Sequence, residues 1–219
     1  MSQDHFLVPA RRVETELIEQ KSRFIANAAP VFSVAAAHDY ISYIKDKYPD
    51  ANHHVLAFLI GHGNSVTSHS SDDGEPAGTA GKPALAVLQG SGLGDIAVVI
   101  TRYFGGTKLG TGGLVRAYSD CMRQVLEDLP LAKKVATTTV MCVVEYSHYE
   151  QAKLLVYHHG GLIKDQYFGA DVTLTIRFED AYLESFKQRM VDLTRGNIDF
   201  IEVDRCKNTI LPFRNTKHC

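Results

Sequence analysis

The order of apolar patterns in the second half of the chain limits its fold more than any other feature. Residues 138–144 predict a strand, 149–158 a helix that ends before two glycines, and 162–168 a second strand. Residues 172–178 alternate apolar and polar side chains, which is typical of a strand with one face in water. A helix around 183–190 and apolar positions at 198–203 complete the order β-α-β-β-α-β, which predicts a ferredoxin-like domain.

The length of the chain leaves room for another domain before this one. At 219 residues it exceeds the commonest size of a single domain. Its first half predicts helices over 34–48 and 114–129, a short helix opened by Pro83, and buried strands over 55–60 and 96–100. We therefore predict an α+β protein of two domains, 1–134 and 135–206, joined by a linker at 131–136 and followed by a flexible tail over 207–219.

Charge and composition exclude several classes of protein. The net charge is −2 and the pI about 6.5, so the chain is not a DNA-coating protein, and any contact with nucleic acid must be local. It has no apolar run long enough to cross a bilayer. The four cysteines are widely spaced, and the first residues lack the apolar core of a signal peptide. We expect a cytoplasmic protein without a membrane partner.

Two glycine-rich stretches, 72–83 and 94–113, combine backbone freedom with fixed charges. Residues 105–113, which we call the glycine loop, follow a predicted strand and precede a predicted helix, so their amides could converge on an anion. Alternatively, the glycines only turn the chain. The predicted anion-binding residues are Lys82, Arg102, Lys108 and Arg116, with the backbone of Gly105, Gly106, Gly110, Gly112 and Gly113. Tyr103 and Phe104 could stack on bases or belong to the core.

Three acidic residues, Asp72, Asp73 and Glu75, crowd the first stretch. They could bind magnesium or transfer protons, be solvated, or pair with Arg102 or Lys82 and shape the loops. The surrounding sequence resembles a nucleotide-binding P-loop but has Pro76 and Pro83 where that motif needs Gly and Ser or Thr. We therefore predict no catalytic set, metal or cofactor, and retain the acidic residues as candidates for the binding surface.

These motifs also carry a family resemblance. Residues 94–110 (G-D-I-A-V-V-I-T-R-Y-F-G-G-T-K-L-G) and 71–81 (S-D-D-G-E-P-A-G-T-A-G) resemble the two hallmark motifs of the IMPACT family, particularly its bacterial YigZ branch. The resemblance implies a first domain similar to the second domain of a small-subunit ribosomal protein, and a second similar to the last domain of elongation factor G. Eukaryotic members regulate translation by binding an activator of a stress kinase, a pathway that bacteria lack.

Together these features predict a binding protein rather than an enzyme. Its expected partner is anionic, either RNA or the ribosome, with a role in the regulation of translation. A protein partner remains an alternative, because the charged glycine-rich stretches could equally meet an acidic protein surface. The other alternative is an enzyme acting on a small phosphorylated or nucleotide substrate.

Overall fold

The computed structural model describes residues 6–63 and 65–212. The chain divides into two compact units, the first extending to Lys133 and the second spanning Lys134–Leu211. No helix in the described ranges is long and apolar enough to cross a membrane. The two-domain α+β fold predicted from the sequence is confirmed.

The first unit is built around a five-stranded sheet in the order β2-β3-β6-β4-β5, with neighbouring strands antiparallel. The strands of this sheet are β2 (Val13–Glu19), β3 (Ser22–Pro30), β4 (His53–Ile60), β5 (Thr67–Ser71) and β6 (Ile96–Tyr103), and β1 (Phe6–Pro9) lies outside it. Its helices are α1 (Val34–Lys47), α2 (Gly81–Gly90) and α3 (Gly110–Glu127). The predicted long helices and buried strands are therefore present.

Both faces of this sheet are covered by helices. Val55 and Ala57 of β4 join the core with α2 and α3, whereas Leu56 and Phe58 join the core with α1. Successive side chains of a strand point to opposite faces, so a strand buried on both sides needs an unbroken apolar run. This explains why β4 and β6 lack the alternation of half-exposed strands.

The sheet register gathers distant segments at one end, which we call the site end. Arg102, near the end of β6, lies opposite Phe24 of β3 and His53 of β4. β5 also finishes at this end, because Ser71 lies opposite Leu56 near the start of β4. The site end therefore holds the β2–β3 turn, the loop after β5 and the glycine loop.

The second unit has the predicted ferredoxin-like order. It contains α4 (Tyr146–His158), β8 (Leu162–Phe168), β9 (Val172–Glu179) and α5 (Asp180–Thr194), with all but the outermost residues of β7 (Leu131–Val144) and β10 (Phe200–Pro212). The strands lie in the order β10-β7-β9-β8. Val172, Leu174, Ile176 and Phe178 of β9 are buried in one core with residues of both helices, while the intervening side chains are partly exposed. The alternation in β9 therefore marks a sheet covered on one face.

Several details differ from the sequence prediction. The linker predicted at 131–136 is instead the start of β7. The flexible tail predicted from 207 is wrong as far as 212, because these residues complete β10; residues 213–219 lie outside the described ranges. β5 was not predicted at all, since its sequence T-S-H-S-S has no apolar period, and pairing with β4 alone makes it a strand.

Candidate functional site

The two glycine-rich stretches meet at the site end through a buried ion pair. Nη1 of Arg102 donates to Oε1 of Glu75 over 2.6 Å, and the two side chains are only 7% and 3% exposed. The hydroxyl of Tyr118 on α3 donates to the same Glu75 oxygen over 2.7 Å. Burial, followed by this hydrogen bond to Glu75, raises the pKa of the Tyr118 phenol. The pair therefore ties β6, α3 and the loop after β5 together.

Arg102 is not the exposed phosphate ligand that the sequence predicted. Its guanidinium lies inside the first unit, where its charge is compensated by Glu75, and Nη2 donates to Oγ of Ser22 over 3.4 Å. Glu75 is buried in the same ion pair, so it is not one of the exposed binding residues either. Sequence patterns gave no indication of the Tyr118 contact, because Tyr118 belongs to the apolar stripe of α3.

Asp72 organises the start of α2. Its carboxylate accepts hydrogen bonds from the amides of Gly78, Ala80 and Gly81 at 2.8, 3.0 and 2.7 Å. Burial alone would raise the pKa of Asp72, but these three donors, assisted by the charge of Lys82, hold it below its ordinary value. Asp72 therefore acts as a helix cap from outside the helix, since Ala80 has no capping side chain.

Replacing Asp72 with asparagine should cost about 1–3 kcal/mol of unfolding free energy near neutral pH, because an NH₂ group can replace an acceptor facing an amide. The pKa of Asp72 is lower in the folded protein than in the unfolded chain, where it is near 3.8. The charged carboxylate therefore stabilises the folded state fully above the unfolded pKa, and this stabilisation is lost as the pH falls through the folded pKa. Urea unfolding at several pH values should show the two proteins converging in acid. Asp46→Asn, an exposed change on α1, is the control. A gap independent of pH would contradict the capping role.

Asp73 fastens the same loop to the sheet and to α1. Its carboxylate accepts from Nζ of Lys45 at 2.9 Å and from the amide of His54 at 2.7 Å. Its φ of 44° is a left-handed conformation that non-glycine residues rarely adopt. Each of the three acidic side chains is thus engaged within the first unit. In the part of the chain that the structure describes, no three His, Cys, Asp or Glu side chains are grouped to hold a metal ion.

The glycine loop is the exposed part of the site. Gly106, Lys108, Gly110 and Gly112 are exposed, and Gly113 is partly covered by Leu109. Gly106 and Gly110 have φ of +85° and +70°, which a side chain would disfavour. α3 begins within this loop, with Leu109 as a cap residue that offers no side-chain acceptor and no acidic residue in its first turn. The first backbone amides of α3 therefore have no capping acceptor from Leu109 or from an acidic side chain in the first turn.

The base of the glycine loop is held by backbone contacts. The amide of Gly105 donates to Oγ of Ser22 over 3.2 Å. A Cβ built on Gly105 would lie 2.0 Å from the carbonyl carbon of Lys21, so this glycine permits direct contact with the β2–β3 turn. Gln20 and Lys21 both have positive φ, as in the primed turns of tight hairpins. Sequence reasoning did not place Ser22 or Lys21 in the site.

Among the described residues in this part of the first unit, four exposed cationic side chains lack an ion pair. Lys82 lies in the first turn of α2, Lys108 in the glycine loop, Arg116 on α3 and Lys21 in the β2–β3 turn. None of the four makes an ion pair with a described residue; Nε of Arg116 donates to the carbonyl of Gly112 over 3.3 Å. Three of the four predicted cations are thus available to a partner.

The two adjacent aromatic residues have different environments. Tyr103 is half-buried, and its hydroxyl donates to Asp50 over 2.8 Å. Phe104 is 46% exposed, and its amide donates to Oδ1 of Asn52 over 2.8 Å. Only Phe104 of this pair is exposed, although Tyr103 was placed in the predicted binding set.

Known proteins match both units. The Impact N-terminal domain model matches residues 20–126, and a model for a domain of unknown function, DUF1949, matches residues 142–197. The chain is 37% identical to the IMPACT family member YigZ of Escherichia coli over 92% of this chain and 99% of YigZ. It is 32% identical to YvyE of Bacillus subtilis, another IMPACT family member, over 86% of this chain and 87% of YvyE. A crystal structure of a protein described as hypothetical aligns at a TM-score of 0.61 and 36% identity, covering 92% and 98% of the two chains.

Proposed function

This chain belongs to the IMPACT family, and on that premise we propose that it is a non-enzymatic RNA-binding protein that associates with the ribosome in the regulation of translation. The observation that carries this proposal is the glycine loop. It combines exposed amides at the start of α3 with Lys108 and Arg116, neither of which makes an ion pair with a described residue. Amides and unpaired cations on one short segment are suited to phosphate.

The buried ion pair supports this proposal by fixing the position of the glycine loop. Arg102 directly precedes Tyr103 and Phe104 and is held by Glu75 and Ser22, while Ser22 also binds the amide of Gly105. A phosphate-binding loop gains affinity when its donors are already in place, because less conformational entropy is lost on binding. Arg102 therefore contributes as a positioning residue, without contact to the partner.

The contact with RNA is local. The net charge of −2 gives no general attraction to a polyanion, so affinity must come from the few exposed cations of this surface. Lys21 and Lys82 supply two further cations. The acidic side chains that an enzyme could use, Asp72, Asp73 and Glu75, are instead engaged in the capping, loop and ion-pair contacts. This disposition favours binding over catalysis.

Gradient sedimentation of cell extract tests the proposal. We expect the wild-type protein to sediment with ribosomal fractions and to return to the free fractions after ribonuclease treatment. The double variant Lys108→Glu/Arg116→Glu should remain free, because charge reversal repels phosphate. Arg123→Glu, a matched reversal on the same helix at a residue paired with Asp120, should behave as wild type.

Two outcomes would contradict the proposal. One is a wild-type protein that stays free with and without ribonuclease. The other is a complex that survives ribonuclease, which would instead identify a protein partner.

A further inference from the structure

We propose that Phe104 is a stacking platform for an unpaired base, so that the ligand of this surface is single-stranded RNA rather than a duplex. This inference rests on the proposed function and names the class of RNA. It assigns the base contact to one side chain, whereas the proposed function concerns phosphate contacts made by the glycine loop.

The first support is the way in which the backbone presents Phe104. Single exposed apolar side chains are common on protein surfaces, so the 46% exposure of Phe104 assigns it no role by itself. Here the amide of Phe104 is bound by Asn52 over 2.8 Å, and the next amide, that of Gly105, is bound by Ser22 over 3.2 Å. The ring is therefore exposed on a fixed backbone, as a binding residue needs to be.

The second support is the group that lies against the ring. Cζ of Arg102 is 5.7 Å from the centroid of the Phe104 ring and 5.3 Å from that of Phe24. The guanidinium cannot turn away freely, because Glu75 holds it at 2.6 Å inside the unit. Phe104 thus continues a layered contact of ring, guanidinium and ring that begins in the core, and a base would add the next layer.

The third support is the charge around Phe104. Lys108 follows four residues later, and the backbone of Lys21 contacts Gly105, the residue next to Phe104. Neither lysine makes an ion pair with a described residue. An exposed aromatic ring with unpaired cations on the neighbouring segments matches a nucleotide chain, in which each base is flanked by phosphates. An acidic peptide would use the cations but leave the exposed ring without an equivalent stack.

A duplex does not suit this arrangement. Its bases are already stacked and paired, so their faces are closed to a side chain, and its phosphates alone would be contacted. Stacking on Phe104 therefore requires a base that is free of its partner. Tyr103 does not present an equivalent ring, because it is half-buried and its hydroxyl donates to Asp50.

Equilibrium binding to a fluorescent single-stranded RNA of about twelve nucleotides, with the matching blunt duplex in parallel, tests the inference. We expect wild type to prefer the single strand and Phe104→Ala to bind it roughly 5- to 100-fold more weakly. Phe32→Ala, a change at another exposed phenylalanine of the first unit, should leave the affinity unchanged. Since the chain has no tryptophan, Phe104→Trp provides a fluorescent reporter that should retain binding and be quenched by an unlabelled single strand.

The outcomes separate this inference from the proposed function. If Phe104→Ala binds like wild type while Lys108→Glu/Arg116→Glu loses binding, RNA binding stands and base stacking is wrong. Equal affinity for the duplex would also overturn stacking, as would tryptophan fluorescence of the Phe104→Trp variant that bound RNA leaves unchanged. If the wild-type protein binds neither form of RNA, both proposals fail.

Discussion

Glu75→Ala should destabilise the first unit by about 3–5 kcal/mol, although Glu75 lies in a loop. The substitution leaves the Arg102 guanidinium buried without its counter-charge and removes the acceptor used by Tyr118. A buried charge without a partner costs far more than the pair itself contributes, because the desolvation of the ion is no longer compensated. Loss of this ion pair should also release the glycine loop.

Hydrogen exchange of β6 measures this effect locally and independently of the second unit. Glu16→Ala is the matched control, because Glu16 pairs with Arg23 at 2.7 Å on the surface, where such a pair contributes about 0–1 kcal/mol. Removing both buried charges in Glu75→Gln/Arg102→Met should be less damaging than Glu75→Ala alone. Protection in Glu75→Ala equal to that in the control would show that the pair is dispensable.

Gly105→Ala should have the second large effect, a loss of about 2–3 kcal/mol with loss of RNA binding. The added Cβ would lie 2.0 Å from the carbonyl carbon of Lys21 and 2.3 Å from the amide nitrogen of Ser22. Both are backbone atoms, so no side-chain rotation can relieve the overlap. The β2–β3 turn and the glycine loop must separate, which breaks the bond between Gly105 and Ser22.

Gly112→Ala is the control for this second prediction. Its Cβ would meet nothing within 4 Å, and its position in the first turn of α3 requires no positive φ. Alanine should therefore leave the amide in place and raise stability by up to about 1 kcal/mol. Urea unfolding and RNA binding of both variants provide the comparison. Equal stability of the two variants would mean that the contact of Gly105 with the turn is unimportant.

The arrangement of the candidate site was only partly predictable from the sequence. The two glycine-rich motifs meet at the site end, and Lys82, Lys108 and Arg116 are exposed there, as a binding role would require. Arg102 carries the same charge and lies close to them in sequence, yet it is buried. Its partner is 27 residues away and is chosen by where β6 and the loop after β5 meet, which local sequence does not reveal. The missed strand β5 has the same cause, since only its pairing with β4 defines it.

Local sequence patterns were enough to predict the order of most helices and strands, the ferredoxin-like arrangement of the second unit and the positions of the glycine-rich loops. These properties are local, because apolar periodicity and backbone freedom act over a few neighbouring residues. Which charged side chains are exposed to a partner depends instead on the tertiary fold. The strand register places Arg102 beside Glu75 and leaves Lys108 in solvent. Because burying an unpaired charge is costly, Arg102 is paired inside the first unit and stabilises it, whereas Lys108 is exposed and can contact a partner.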